Sequence, residues 1–235
     1  MQSQHKNAFY NSMSQVFTDT LGTSAASWYS HIAKSSRGGA LQNLSKHPAS
    51  RETLFRMSSD FEVSDFDLTI AILAWGGMRR DSGRSALSNF KSWRFIISKL
   101  RQGELDRADA FEVFAEIRRN GELKGMGIAY FTKLVFFAGQ NHDGYIMDQW
   151  TARSVNLLAD EEVVKLRWAK LGKKRIAVVS DLNTANDYVA FCEFIEAIAE
   201  EASDQTTPQD VEKAMFSMGR GKGIWRNYLK SKDDQ

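Results

Sequence analysis

The sequence predicts an all-α protein, either one helical unit or two helical lobes around a cleft. Three observations predict it. Only two prolines, Pro48 and Pro208, stand among 235 residues, so few positions force a helix to break. Apolar residues recur at three- and four-residue spacing through Leu87, Phe90, Trp93, Ile97 and Leu100, and again through Phe111, Phe114, Ala115 and Ile117. That is the period of helices with one buried face. Helix start and stop signals punctuate these runs. A hydrophobic fraction of 43% suffices for a core and argues against global disorder.

The elements follow in order. Residues 1–60 read as short helices separated at Gly22, Gly38-Gly39 and Pro48. Ser64-Asp65-Phe66-Asp67 is a capping-box variant, in which the Ser oxygen accepts a free backbone N–H and Asp67 sits in the positive first turn. The helix it opens, Leu68 to Trp75, is apolar almost all round and is expected to be central and buried. Gly76-Gly77 ends it, and a polar loop to Arg84 is expected before the Leu87–Leu100 helix. Asn120-Gly121 closes the helix containing Phe111, with Arg118 and Arg119 complementing its dipole. Tyr130 to Ala138 is apolar except for Lys133. Helices are expected from about Asp148 to Leu158 and near Glu161 to Leu171. Ile176 to Val179 looks like an isolated strand and is read as a loop or helix start. Asn183 to Ala202 reads as a long helix. Thr207 then caps another, with Pro208 in its first turn. No linker or repeat divides the chain, so residues 1–235 are taken as one unit.

Composition excludes several function classes. The single cysteine, Cys192, cannot form an intramolecular disulfide or a cysteine-based metal site. It lies in an apolar helical segment, where a free cysteine acts as a small hydrophobe. The four histidines are scattered and suggest no metal cluster. No apolar run reaches the ~18 residues of a membrane span, and the N-terminus lacks the apolar core of a signal peptide. A cytoplasmic protein with no membrane partner is expected. Net charge is only +2, yet basic residues gather at Arg79-Arg80 with Arg84, at Arg118-Arg119 with Lys124, at Lys170–Arg175 and at Arg220–Lys232. Acids concentrate in Glu193–Asp204. The asymmetry suits either a positive face for a polyanion or ordinary solvated helix surfaces.

Two features carry chemistry. In Leu123-Lys124-Gly125-Met126-Gly127-Ile128-Ala129, two glycines bracket one residue just before an apolar helix. Glycine tolerates positive φ, and backbone N–H groups converging at a helix N-terminus bind a phosphate without a side chain. The alternative is a plain helix–turn–helix connection. About twenty residues on, Asp148 stands in Tyr145-Ile146-Met147-Asp148-Gln149-Trp150-Thr151-Ala152-Arg153. It suits a helix N-cap. Facing a cleft, the same carboxylate can stabilise positive charge developing at a sugar C1′ and orient or deprotonate a water. The two roles are compatible.

Together, Gly125-Met126-Gly127, the apolar helix, Asp148 and Arg153 resemble the helix-hairpin-helix DNA glycosylase superfamily. Phe131-Thr132-Lys133-Leu134 is most similar to its bacterial and archaeal 8-oxoguanine-glycosylase-like branch. The resemblance covers about residues 110–160, with the helix-hairpin-helix at about 107–139 and the aspartate segment at 145–158. It implies two helical lobes around a DNA-binding cleft and extrusion of the target nucleotide into a pocket. It implies Asp148 as catalytic carboxylate. It further implies DNA contact through Lys124, Gly125, Met126, Gly127 and Arg153. No resident cofactor is implied beyond a monovalent cation, K+ or Na+, held by hairpin carbonyls. The partner is then DNA containing a modified base, and the protein a nucleoid-associated monomer.

The chain departs from that pattern. Lys124 replaces the usual proline. Lyase members place a nucleophilic lysine about nineteen residues before the aspartate, and Ala129 occupies that position. Lys133 lies one turn deeper on the same helical face among apolar neighbours. It reads either as a displaced Schiff-base amine or as a lysine snorkelling to solvent or phosphate. Trp75 reads as a base-stacking platform or a core residue, and Gln149 and Trp150 as residues of the pocket mouth. The glycine- and cation-rich tail from Gly219 could track a DNA backbone or be an ordinary exposed terminus. The expected activity is excision of an oxidised purine such as 8-oxoguanine in base excision repair, with lyase activity open. Alternatives are excision of a phage-modified, for example glucosylated, pyrimidine in antiviral defence, and a non-catalytic DNA-binding module.

Overall fold

The computed structural model describes residues 2–13, 22–33, 43–171, 174–216 and 223–232. Its elements are α1 (Gln2–Met13), α2 (Ala25–Ser30), α3 (Arg51–Ser59), α4 (Asp65–Trp75), α5 (Arg80–Ser88), α6 (Phe90–Gln102), α7 (Arg107–Arg119), α8 (Ile128–Ala138), α9 (Gln149–Ala159), β1 (Leu166–Leu171), β2 (Lys174–Val179), α10 (Ala185–Ala202), α11 (Pro208–Phe216) and α12 (Ile224–Lys232). The predicted all-α class is what the chain adopts, apart from one small antiparallel ribbon. The chain divides into two compact units. The first joins Met1–Asp19 to Tyr145–Gln235, and the second is Thr20–Gly144. Among the described residues no helix is long and apolar enough to cross a membrane, and no cluster of metal-ligating side chains occurs.

The second unit is organised on α4. Ser64 caps it as its sequence predicts, accepting from Asp67 N at 3.1 Å, and every residue from Leu68 to Trp75 is buried. Such a helix must be covered on all sides, and α2, α3, α6 and α8 pack against it. Aromatic rings fill the space between α7 and α8, with Phe131 stacked on Phe114 at 5.3 Å and edge-on to Phe111 at 5.1 Å. Among the described residues two cationic side chains are buried in this unit, Arg101 and Lys133. The Arg101 guanidinium, 5% exposed, donates to the carbonyls of Ser58, Asp60 and Val63 and pairs with Asp65 at 2.8 Å. The expected polar loop after Gly77 is instead partly helix α5, and Asn89 (φ −118°, ψ 26°) separates α5 from α6. Leu87 therefore belongs to a different helix from Trp93.

In the first unit, α9 is surrounded by α1, α10, α11 and α12. Cys192 is fully buried in α10 beside Phe191 and Ile195, as an inert hydrophobe should be. Thr207 and Asp210 cap α11 reciprocally: Asp210 N donates to Thr207 Oγ1 at 3.2 Å and Thr207 N donates to Asp210 Oδ2 at 3.1 Å. The helix expected near Glu161–Leu171 and the loop expected at Ile176–Val179 are both wrong. These segments pair as β1 and β2, in a register running from Leu166↔Val179 to Leu171↔Lys174. Long-range bonds decide against helix. Asn156 brackets Val164 through both its N–H and its carbonyl, at 2.8 Å each, and Asn183 does the same to Lys165 at 2.9 Å. These anchors pin the Leu166↔Val179 end of the ribbon, whose alternation has a shorter period than a helix.

Candidate active site

Asp148 is fixed by the start of α9. It is the N-cap, in extended conformation at φ −109°, and only 9% exposed. Its Oδ1 accepts from Trp150 N at 2.7 Å and Thr151 N at 3.2 Å, while Thr151 Oγ1 accepts from Asp148 N at 2.9 Å. Thr151 Oγ1 also donates to the Ile146 carbonyl at 2.7 Å, tying the cap to the preceding extended segment. Both N–H groups fall on the same oxygen. Among the described residues nothing hydrogen-bonds Oδ2. One oxygen thus anchors the carboxylate and orients it, and the second remains available for chemistry.

Next to Asp148, the half-buried Trp150 ring is covered by cations. Arg226 Cζ lies 4.2 Å from its centroid, Arg153 Cζ 4.9 Å and Lys230 Nζ 5.7 Å. The Arg226 guanidinium is held below its usual pKa, by burial first and by Arg153, with Asp148 opposing the shift. Gln149, the first residue of α9, is half-buried beside the cap. Asp148, Gln149, Trp150 and Arg153 therefore sit together in the first unit. Sequence reasoning placed Arg226 and Lys230 only in a basic tail. Their four-residue spacing on a helix was the signal that they share a face. The Gly219–Lys222 part of that tail lies outside the described residues, as do Gly38-Gly39 and Gly172-Lys173.

The second unit holds the glycine turn, Trp75 and Lys133. Leu123 and Met126 are fully buried and anchor the turn, while Lys124 and Gly125 are exposed. The two glycines have different reasons. Gly125 has φ +81°, and a Cβ there would stand 2.4 Å from the Ser82 carbonyl oxygen, so the fold itself demands glycine. Gly127 has an ordinary φ of −91°, and a Cβ there would meet nothing within 4 Å. It is the N-cap of α8 and offers no side-chain acceptor to the first-turn N–H groups. Inside the fold, nothing calls for a glycine at 127.

Arg118 does more than complement a helix dipole. Its Nη1 donates to the Met126 carbonyl at 2.8 Å, so a guanidinium sits against the middle carbonyl of the turn. A monovalent cation at that oxygen would meet this fixed positive charge. The Met126 carbonyl therefore does not suit K+ or Na+.

Lys133 is 7% exposed, and its Nζ donates to the Ala129 carbonyl at 2.7 Å with the Tyr130 ring centroid 5.3 Å away. Its stem runs close against Gly76, where an added Cβ would lie 2.9 Å from Lys133 Cδ. The ammonium thus points back along α8 to the carbonyl one turn earlier. Trp75 is 7% exposed, edge-on to Phe137 at 4.9 Å and under the Arg51 guanidinium at 5.4 Å. These contacts are those of a core ring.

Residues 14–216 match the profile of the family described as "Putative 8-oxoguanine DNA glycosylase OGG-like protein". No curated protein and no solved structure matches the chain. With most of its length inside that profile, the chain belongs to the OGG-like glycosylase family.

Proposed function

We propose that this protein excises a modified base from DNA, an oxidised purine such as 8-oxoguanine, with Asp148 as the catalytic carboxylate. The observation that carries the reading is the asymmetric hydrogen bonding of Asp148, with Oδ1 committed to the α9 cap and Oδ2 uncommitted. In the proposed reaction the target nucleotide leaves the stack, since its glycosidic bond is out of reach inside a duplex. The C1′–N bond lengthens and its electron pair departs with the base. Asp148 stabilises the positive charge left on the sugar and takes a proton from the incoming water, leaving free base and an abasic site.

Lys133 is the proposed amine for a lyase step. Once neutral, its Nζ would attack C1′ in place of water as the base leaves with the glycosidic electron pair, and opening of the C1′–O4′ bond, with a proton passing from nitrogen to O4′, would then give a Schiff base. The Ala129 carbonyl and the Tyr130 ring fix its position, and the amine would have to leave both to react. Incubation with duplexes each bearing one modified base, read before and after hot alkali with borohydride trapping alongside, tests both steps. The reading expects cleavage at 8-oxoguanine and a trapped adduct that Lys133→Gln eliminates. Cleavage only after alkali with no adduct would reduce the activity to base hydrolysis. Release of glucosylated hydroxymethylcytosine alone would assign the enzyme to the phage-modified pyrimidine instead.

The proposed phosphate contact is the α7–α8 turn, with the backbone of Gly125, Met126 and Gly127 and the Lys124 ammonium as donors. Gly127→Ala is expected to leave thermal stability within about 1 kcal/mol of wild type, the helical difference between glycine and alanine. It should nonetheless weaken duplex binding about tenfold by obstructing a phosphate, the weight of about 1.4 kcal/mol. Gly125→Ala should lower stability itself, because of its positive φ and the Ser82 carbonyl. Wild-type binding by Gly127→Ala would remove the turn from the DNA contacts.

A further inference from the structure

We propose that Gly76, at the end of α4, is a positioning residue for the Lys133 amine, its bare backbone leaving the space along which the lysine stem reaches the first turn of α8. The inference rests on the reading of Lys133 as the lyase amine, and it gives a role to a glycine that the backbone does not require. Gly76 has φ −67° and ψ −6°, a helical conformation open to any residue. Its neighbour Gly77 differs, with φ +67°, where glycine is favoured.

A side chain at position 76 would meet Lys133 first. A Cβ there would stand 2.9 Å from Lys133 Cδ and 3.2 Å from Cε, with the Ile72 carbonyl oxygen at an ordinary 3.4 Å. One of the two partners must give, and the α4 end is the fixed one. Gly76 N donates to the Ile72 carbonyl at 2.9 Å, Gly77 N to the Ala74 carbonyl at 3.1 Å and Met78 N to the Leu73 carbonyl at 3.1 Å. Trp28 Nε1 donates to the Met78 carbonyl at 2.6 Å. The chain at Gly22 and Thr23 also packs on this end at backbone contact. Thr23 N donates to the Ala74 carbonyl at 3.3 Å, and a Cβ on Gly22 would lie 2.2 Å from Trp75 Cα. Lys133 has a flexible four-carbon stem, so it is the group that moves.

For the amine, this contact sets the line of approach. Lys133 Nζ rests on the Ala129 carbonyl at 2.7 Å and must leave that oxygen to react. With Cδ and Cε against the Gly76 backbone, rotation about the Cδ–Cε bond alone frees Nζ. The rest of the stem, in a residue only 7% exposed, stays where it is. Holding a reacting atom close to its line of attack speeds the step, and a displacement of about 1 Å can cost about a hundredfold. Alanine is a better helix former than glycine and suits the backbone at position 76, so Gly76→Ala moves the lysine and spares the fold.

The test uses a duplex with one abasic site, whose C1′ aldehyde meets the amine directly. The Lys133 nitrogen adds to that carbon, water leaves, and borohydride reduces the resulting imine to a stable adduct. Wild type, Gly76→Ala and Lys133→Gln are compared for adduct rate, duplex affinity and thermal unfolding. Methylation of the Lys133 amine by formaldehyde and cyanoborohydride, read by mass spectrometry on the free proteins, reports where the lysine lies. Gly76→Ala is expected to form adduct about 10- to 100-fold more slowly, with wild-type affinity and faster methylation of Lys133. Its unfolding temperature should stay within about 4 °C of wild type. Adduct at the wild-type rate would overturn the positioning role, as would slower adduct with Lys133 methylated as in wild type. A larger fall in unfolding temperature would also overturn it, since the fold itself would then need the glycine. A wild type that gives no adduct, or one that Lys133→Gln still forms, would remove Lys133 as the amine and this inference with it, while base release through Asp148 stands.

Discussion

Asp148→Asn is expected to slow base release by about 10²–10⁴-fold, the usual weight of a positioned acid–base or electrostatic group, with DNA affinity equal to wild type or tighter. The substitution separates the two roles of the residue. Asparagine is as good an N-cap as aspartate, and its side-chain oxygen can still accept from Trp150 N and Thr151 N, now at 2.7 and 3.2 Å. Folding should therefore be preserved, while the negative charge at Oδ2 is lost. Asp148→Ala provides the contrast. It loses the cap as well, at about 1 kcal/mol, and should show both the rate defect and a lowered unfolding temperature. Single-turnover release measured beside thermal unfolding distinguishes the outcomes. Full activity in Asp148→Asn with a defect only in Asp148→Ala would reduce Asp148 to a structural cap.

Arg101→Met should be the most destabilising single change in the second unit. Its guanidinium satisfies three carbonyls around the α3–α4 connection, of Ser58, Asp60 and Val63, and pairs with Asp65 at 2.8 Å. Methionine fills similar space but leaves those acceptors without their donor, and removing one partner of a buried charge pair costs about 3–5 kcal/mol. Asp65 keeps 29% of its side chain exposed, so its charge stays partly solvated, and about 3 kcal/mol is the expected loss. For a chain of this size that corresponds to a fall of roughly 6–12 °C in Tm. A Tm within about a degree of wild type would show that water replaces the guanidinium at little cost.

Most of the helical frame was legible in the sequence because its signals are local. Ser64, Asn120-Gly121 and Thr207-Pro208 mark boundaries where the chain places them, and the apolar run Leu68–Trp75 can only be a covered helix. The β1–β2 ribbon was not legible. Its stability comes from Asn156 and Asn183, which act from other elements, and its apolar residues also fit a short helical face. The Asn89 break was hidden for a related reason, since Leu87 and Trp93 keep helical spacing across it. Arg101 carries no local signal of its role, because carbonyls brought in from the distant α3–α4 connection are invisible to local pattern.

The candidate site divides the same way. Asp148 was readable as a cap because capping is local, but the inequality of its two oxygens required coordinates. The glycine pair was readable as a pair. Only the structure separates Gly125, which the fold needs, from Gly127, which it does not. The bond from Lys133 to Ala129 and the bond from Arg118 to Met126 each depend on a rotamer. The gathering of Arg226, Lys230 and Arg153 on Trp150 depends on how α12 packs on α9, which no spacing within α12 reveals.

The most direct test of the central claim is mass-spectrometric identification of the free base released in a single turnover from a duplex carrying one 8-oxoguanine, with wild type and Asp148→Asn in parallel. The account predicts free 8-oxoguanine from wild type, in amounts equal to the abasic or cleaved product, and a signal at least about a hundredfold slower from Asp148→Asn. Salt-dependent binding of the duplex by both proteins, with no free base from either, would contradict it and identify a DNA-binding module that performs no glycosidic chemistry on this lesion.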